Sequence, residues 1–317
     1  MIVTLTLNPS LDRTVDVDAL VRGAVVRTTE PTLEPGGKGV NVSRALHANG
    51  VPSLAIVAVG GPEGAELSRL LEADGILCRF VPVSGRTRSN LTVCEPDGKV
   101  TKLNEPGRPL QDADLAAIAT AVRTSVRDGD WLVVSGSTPP HFTGEQVTAL
   151  LTEATATGAQ LVIDSSGEAL ALSLDSRPRI VKPNREELAE LVGRELGSVA
   201  AVREAAEEVR ARGADHVLVS LGAEGALLVG PGGMLVGESH VDAPRSTVGA
   251  GDSFLAGFLS RFTNDEADAE AALLEALTWG AAATRLPGSA VPTPSDLDPS
   301  IVQLVWQPDL DRPLVAS

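Results

Sequence analysis

The chain is short of several things, and each shortage excludes a class of protein. It has only two cysteines, Cys78 and Cys94, in 317 residues, too few for a disulfide scaffold, so both are expected as separate reduced thiols. It has no run of 18 apolar residues, so no membrane-spanning helix is expected. Its first segment, MIVTLTLNPSLDRTVDV, has no basic opening and meets Asn8-Pro9 early, so neither a signal peptide nor an anchor is expected, and the cytoplasm is the expected location. Positive charge is scarce. Lys and Arg number 26 against 42 Asp and Glu, a net charge of −16, and the only lysines are Lys38, Lys99, Lys102 and Lys182. That balance excludes a general nucleic-acid surface, which needs a basic patch. It leaves room for small anions held by a few local cations and backbone N–H groups.

Familiar signatures are missing too. His47, His141, His216 and His240 show no metal-ligand spacing, and neither HExxH nor CxxC occurs. No G-x-S-x-G elbow, no strand-linked G-x-G-x-x-G, no internal repeat and no low-complexity linker is present.

What is present alternates. Short β-branched runs at Ile2–Leu7, Ser53–Val59, Trp131–Ser135, Leu161–Asp164, Ile180–Lys182 and His216–Ser220 read as strands. All but the first lead into helix-like stretches beginning near Glu63, Thr143, Gly167, Asn184 and Gly225 or later. WLVVS, QLVID and HVLVS are nearly continuous apolar runs, which predicts strands buried on both faces in a mostly parallel, helix-covered sheet. Two segments alternate with period two instead: Leu11–Glu34 and Arg88–Asn104, the latter around Pro96-Asp97-Gly98. They are expected as half-exposed antiparallel strands, either surface hairpins or a small inserted sheet. Gly225–Glu238 reads as another hairpin and Leu297–Val305 as a last helix. With no linker in sight, one domain is expected.

Four turns carry chemistry. In STVGAGDSFLAGF (246–258), a Gly-Ala-Gly turn enters an apolar helix with Asp252 in its first turn. Converging N–H groups and the helix dipole suit charge developing on a transferred phosphoryl group, and the carboxylate suits proton removal from a hydroxyl. Asp252 as a mere helix cap is the plain alternative. In EPGGKGVNV (34–42), Gly36, Gly37 and Gly39 surround Lys38 ahead of Asn41. This is no Walker A loop, since Thr32 stands where its first glycine belongs and Gly39 follows the lysine. Glycine backbone with Lys and Asn suits a polyhydroxylated or phosphorylated ligand; a glycine turn with a solvated lysine is the alternative. In VKPNREE (181–187), Asn184 and Glu187 fit either a capping box or the neighbourhood of a hydrated Mg²⁺. SLGAEG (220–225) is a strand end that is either a ligand-binding turn or a simple one.

Together and in order, NPSLD (8–12), GGKGVNV (36–42), SGSTPP (135–140), VKPNREE (181–187), SLGAEG (220–225) and STVGAGD (246–252) closely resemble the PfkB/ribokinase family of sugar kinases over essentially the whole chain. NPSLD, TRSN (87–90), DSSGEAL (164–170) and STVGAGD look most like the branch acting on fructose 1-phosphate, with tagatose-6-phosphate kinases close by. The resemblance implies a three-layer α/β/α sandwich with a mostly parallel, ribokinase-like sheet and a small β-sheet lid made of inserts at about 11–34 and 86–105. It implies ATP and Mg²⁺, and transfer of the γ-phosphoryl group to a sugar phosphate. By motif, Asp252 resembles the catalytic base, and the N–H groups of Gly249, Ala250 and Gly251 the anion hole. Asp12, Gly37, Lys38, Asn41, Arg88, Asn90 and Ser137 would serve the sugar phosphate, with Arg88 and Asn90 reaching its existing phosphate. Lys182, Asn184, Ser220, Gly222, Glu224 and Gly225 would serve ATP, and Glu187 with Asn184 the metal. Ser246 stands where relatives with a monovalent-cation site often carry an acid, so the resemblance leaves a potassium requirement open. It also implies a homodimer through the lid. Tagatose 6-phosphate and fructose 6-phosphate remain alternative acceptors, and a non-catalytic phosphosugar sensor on the same fold remains an alternative of another class.

Overall fold

The computed structural model describes residues 1–314 other than Thr29, Asp97 and Ala267. In chain order, β1 (Ile2–Thr6), β2 (Ser10–Asp16) and β3 (Thr32–Gly36) precede α1 (Lys38–Ala48). Next come β4 (Ser53–Val59), α2 (Gly61–Ala73), β5 (Cys78–Pro82), β6 (Arg88–Cys94), β7 (Val100–Asn104) and α3 (Asp112–Ser125). The middle of the chain is β8 (Trp131–Ser135), α4 (Gly144–Thr155), β9 (Gln160–Asp164), α5 (Gly167–Ser173), β10 (Ile180–Val181), α6 (Arg185–Val192) and α7 (Val199–Ala211). It closes with β11 (His216–Ser220), β12 (Ala226–Gly230), β13 (Gly233–Ser239), α8 (Ala250–Phe262), α9 (Ala269–Thr284) and β14 (Val302–Leu304).

Ten strands form one sheet in the order β14-β13-β12-β11-β10-β9-β8-β1-β4-β5. The seven from β11 to β5 run parallel, and β12, β13 and β14 add an antiparallel edge. Neighbouring strand residues serve opposite faces. Val162 packs with α1, α8 and α9 through Leu46, Phe258 and Trp279, while Ile163 packs with α4 to α7 through Leu151, Leu170, Leu188 and Val202. Two buried faces explain why these strands read as apolar runs rather than as alternation. The layers are helix, sheet, helix, as the sequence pattern implies.

A second sheet has the order β3-β2-β6-β7. Its outer pairs are antiparallel, but β2 and β6 pair in parallel, from Ser10 opposite Arg88 to Asp16 opposite Cys94. Each segment thus forms the antiparallel pair expected of it, β2–β3 and β6–β7, and the parallel β2–β6 pair is the seam between them. Both insertions leave the carboxyl ends of parallel strands, β1 and β5, so their first strands point the same way. Asp97, at the expected β6–β7 turn, lies outside the described residues.

The expected helix at Leu297–Val305 is not formed either. Asp298 caps a single 3₁₀ turn, Pro299–Ile301, and β14 then pairs with β13. Val302, Gln303 and Leu304 alternate between exposed and half-buried, which suits an edge strand pairing with the open side of β13. Helices α3 and α7 and strand β5 complete the layers beyond the elements read from sequence.

Candidate active site

The carboxyl ends of the parallel strands, where open α/β sheets form ligand crevices, gather ionisable side chains from four distant segments. Asp164 ends β9 and is fully buried. Lys38 opens α1 after Gly37, whose φ of 115° belongs to glycine, and its Nζ lies 2.9 Å from Asp164 Oδ1. Lys182, just past β10 and itself buried, places its Nζ 3.3 Å from the same oxygen. Ser135 at the end of β8 donates to Asp164 Oδ2 at 3.4 Å. One carboxylate thus fixes two ammonium groups that are 144 residues apart in sequence, Lys38 and Lys182.

Asp252 stands beside this cluster in the first turn of α8, after Gly249, which holds the left-handed conformation at φ 73°. Gly249, not Asp252, is the helix cap, and the Asp252 carboxylate instead accepts from Asn41 Nδ2 at Oδ2, 2.8 Å away. Lys182 Nζ lies against Gly251, 3.7 Å from where a Cβ would stand. Burial, and then the negative charge of Asp164, pushes the Asp252 carboxyl up to about 6, against the opposing pull of Asn41, Lys38 and Lys182. The two lysines hold Asp164 below the usual carboxylate range despite a large burial penalty. Burial pulls Lys38 down, but Asp164 and Glu187 outweigh it and the net shift is upward. The cluster therefore contains one carboxylate that stays ionised and one that titrates close to neutrality, a separation of roles typical of catalytic centres.

Asn184 and Glu187 satisfy one another in a capping box at the start of α6: Glu187 N donates to Asn184 Oδ1 and Asn184 N to Glu187 Oε2, both at 2.8 Å. The plain reading of that motif holds, yet it does not consume Glu187. Its Oε1 points back to Lys38 Nζ at 3.6 Å, so the carboxylate faces the cluster. Among the described residues no three His, Cys, Asp or Glu side chains are grouped to hold a metal. A single carboxylate oxygen with an amide oxygen beside it is the donor set that suits Mg²⁺, which keeps several waters and takes substrate phosphates. Asn184 also pairs with Ser220 across a parallel bridge, which joins the VKPNREE and SLGAEG turns. Glu224, in a one-turn 3₁₀ helix (Gly222–Glu224), forms an ion pair with Arg312, and Gly225 backs closely onto the Gly237 carbonyl of β13.

The other predicted residues meet where the two sheets join. Asn90 Nδ2 donates to Asp12 Oδ1 at 2.8 Å across the parallel β2–β6 pair. Gly36 lies against the Asp12 carboxylate so closely that a Cβ would stand 2.3 Å from Oδ2. Arg88 is half-buried, donates from Nε to Asn8 O at 3.2 Å and from Nη1 to Glu105 O at 3.1 Å, and burial lowers its pKa. Ser137 accepts a hydrogen bond from Asn8 Nδ2 at 3.2 Å. Helix α1 connects this group to the first, since Gly36 and Gly37 precede it and Asn41 reaches Asp252 from it.

Two residues of this arrangement carry no role in the sequence reading. Asp164 sits inside DSSGEAL, where a strand ending in Asp just before a helix was the available signal. Asn8 sits inside NPSLD; its side chain ties the end of β1 to Pro106 O at 3.1 Å as well as to Ser137, and nothing local announces that. Ser246 donates to Gly288 O and accepts from Val248 N.

The chain matches the family model described as pfkB family carbohydrate kinase over residues 5–296. It is 39% identical over 292 residues to the 1-phosphofructokinase of Haloferax volcanii, covering 90% of this chain and 93% of that one. It is 37% identical over 262 residues to the 1-phosphofructokinase of Escherichia coli K12, covering 81% and 83%. Among solved structures, it resembles the phosphofructokinase-2 of Escherichia coli in complex with potassium, with TM-score 0.89 and 35% identity over 93% of this chain and 96% of that one. A Thermotoga maritima structure described as a possible 1-phosphofructokinase gives TM-score 0.84 and 27% identity over 96% and 99%. The chain thus belongs to the pfkB family of carbohydrate kinases, enzymes that transfer a phosphoryl group to a sugar hydroxyl.

Proposed function

We propose that this protein is a 1-phosphofructokinase: it transfers the γ-phosphoryl group of ATP to the 6-hydroxyl of fructose 1-phosphate, giving fructose 1,6-bisphosphate and ADP. The observation that carries the reaction is Asp252. It is buried, oriented by Asn41, set at a helix N-terminus, and held up to about 6. Such a carboxylate is ionised at neutral pH yet basic enough to take a hydroxyl proton as the oxygen attacks. The N–H groups of Gly249 and Gly251 at this helix start would meet charge that develops on the transferred group, while Ala250 N donates to Thr247 O at 3.4 Å and would have to release that long bond to join them. Lys38 and Lys182, fixed by Asp164, supply positive charge without having to be ordered at the moment of reaction.

PfkB kinases use ATP as phosphoryl donor, generally with Mg²⁺. Here Glu187 and Asn184 would hold the ion, which supplies charge neutralisation to the donor phosphates. Ser220, Gly222, Glu224 and Gly225 form the nucleotide side. Asp12, Asn90, Gly37, Lys38, Asn41 and Ser137 hold the sugar. The Arg88 fork, aimed by two backbone carbonyls, takes the phosphate already present on the acceptor. The choice of fructose 1-phosphate follows the curated relatives, which are 1-phosphofructokinases at 33–39% identity. Fructose 6-phosphate is the second reading, because an equally good structural match is the Escherichia coli phosphofructokinase-2 in complex with that sugar, at TM-score 0.84. Tagatose 6-phosphate would present the same phosphate to Arg88 and differ only by one epimeric hydroxyl.

The four-stranded sheet, from the inserts at about 11–34 and 86–105, acts as a lid on a single kinase domain (1–317). Its exposed Leu20, Val21, Val25, Val100 and Leu103 suit a homodimer through the lid. No helix among the described residues is long and apolar enough to cross a membrane, in keeping with a cytoplasmic enzyme. ADP release measured over fructose 1-phosphate, fructose 6-phosphate, tagatose 6-phosphate, fructose and ribose tests the proposal. The expected result is the highest kcat/KM with fructose 1-phosphate. Preference for an unphosphorylated sugar overturns the role of Arg88, and ATP binding with no sugar-dependent turnover favours a sensor.

A further inference from the structure

The family match ends at residue 296, but the chain continues and returns to the nucleotide side of the site. After β14, Val305 N donates to Val236 O at 2.8 Å. Further on, Leu310 O accepts from Ala200 N at 2.8 Å, Leu314 N donates to Gly197 O at 2.9 Å, and the Leu314 side chain is buried under α7. This C-terminal strap is therefore docked at one end on β13 and at the other on the start of α7. Between the two anchors Arg312 turns back to a pair of carboxylates. It bonds Glu224, 88 residues away in sequence, and lies 3.4 Å from Glu238 Oε1 on β13.

The turn that carries Glu224 is packed at its ends, by buried Leu221 and by Gly225 against the Gly237 carbonyl, but not at Gly222. Its backbone closes mainly on itself: Leu221 N donates to Gly225 O at 2.9 Å, Glu224 N to Leu221 O at 3.1 Å and Gly225 N to Gly222 O at 3.3 Å. A Cβ at Gly222 would meet nothing within 4 Å. Beside the turn, toward β13 and β14, lies a cavity of about 490 Å³ lined by Ala223, Glu224, Glu238, His240, Gln303 and Arg312. Packing holds the Gly225 end of the turn but leaves the Gly222–Glu224 side bordering open space. A guanidinium that bridges it to a sheet strand can set it, because the planar fork engages two carboxylates in a fixed geometry.

We infer that Arg312 is a positioning residue for the nucleotide: through Glu224 and Glu238 the C-terminal strap clamps the Gly222–Glu224 turn, and so sets the affinity for ATP without touching the sugar side. The inference rests on the kinase reading above for the identity of the ligand, and it adds a determinant from outside the family match. A turn that must be ordered on binding shows an apparent affinity reduced by the fraction of time it is competent. Ion pairs with this much exposure contribute little to global stability, so the clamp can be released with the fold intact.

The test uses the full chain with Arg312→Gln, Glu224→Gln, the double variant and the conservative Arg312→Lys. ATP binding is titrated by calorimetry, KM for ATP and for fructose 1-phosphate are measured separately, and thermal midpoints are recorded. Arg312→Gln is expected to weaken ATP binding and raise its KM by about three- to tenfold, with kcat, the sugar-phosphate KM and the thermal midpoint nearly unchanged. Arg312→Lys should recover part of the loss, and the double variant should be no worse than the poorer single one. Unchanged ATP binding in Arg312→Gln overturns the inference. So do parallel rises in both KM values with a lowered midpoint, which would show a structural role alone, and so do additive losses in the double variant. If the wild type binds ATP but phosphorylates none of the ketohexose phosphates, the acceptor assignment fails while the ATP titration still decides the role of Arg312.

Discussion

Asp164, at the end of β9, is fully buried, whereas Asp12, on β2 of the small sheet, is half-buried and shares its carboxylate with Asn90. The first lies under helices on both faces of the central sheet, where an uncompensated charge is costly, so two lysines must meet it. The second lies on a sheet whose own apolar cluster is only Val15, Val17 and Val93 with Val26 and Leu91 against it, and whose β7 is mostly exposed. Asp12 there meets one neutral amide, Asn90, rather than two ammonium groups, and a single such hydrogen bond contributes about 1–3 kcal/mol at most. The thick half of the molecule fixes charges for chemistry. The thin half presents polar groups whose pattern can differ between acceptors without endangering the fold.

The sharpest way to probe that contrast is Asp252→Asn. In the thick half, loss of the base should lower kcat by about 10²- to 10⁴-fold, while thermal unfolding shows a fold at least as stable, because a buried group next to Asp164 no longer needs to ionise. Near-normal turnover would remove Asp252 from the mechanism. Asp164→Asn should instead cost stability, about 3 kcal/mol by urea unfolding, because Lys38 and Lys182 lose a shared buried partner. A loss as small as that of Asp12→Asn would erase the distinction between the two sheets.

The pH profile is a milder probe of the same half. As the proposed base, Asp252 would act only when deprotonated, and its folded-state pKa is raised to about 6. The kcat/KM should be level above about pH 7 and fall toward tenfold per unit below 6. In Asp164→Asn the inflection should move to lower pH, since the like charge that helps raise Asp252 is gone. In the thin half, Arg88→Ala should raise KM for the sugar phosphate by about tenfold or more, in line with loss of charge-assisted hydrogen bonds, with almost no change in the unfolding midpoint. An equal rise in KM for ATP would place Arg88 elsewhere. The smallest effect is expected for Leu103→Asp on exposed β7, within about 0.5 kcal/mol of wild-type monomer stability, with sedimentation testing the proposed lid dimer by its loss in this variant.

Much of the thick half was legible in the chain. WLVVS, QLVID and HVLVS announced strands buried on both faces, and the glycines before Lys38 and Asp252 announced helix starts with φ values that suit them, 115° at Gly37 and 73° at Gly249. The capping-box reading of Asn184 and Glu187 was right in its own terms. Legibility failed where partners are remote or where an edge decides. The tail has apolar residues that suit a helix, and only the open edge of β13, remote in sequence, recruits them into β14. The parallel β2–β6 seam was not legible at all, because local alternation says nothing of the direction in which two separate insertions set out.

What the sequence determined by itself is local: which runs are strands and helices, where glycine lets a backbone turn, and which motif residues stand next to those turns. These follow from periodicity and backbone sterics acting over a few residues. What only the tertiary structure decided is who meets whom. Asp164 holds Lys38 across 126 residues, Asn41 holds Asp252 across 211, and Arg312 holds Glu224 across 88. Those pairings arise because parallel strands deliver their carboxyl ends to one edge and because the edge strand β14 carries the tail back to it. The electrostatics of Asp252 belongs to that assembly, since burial and a neighbouring charge exist only once the sheet has brought them together.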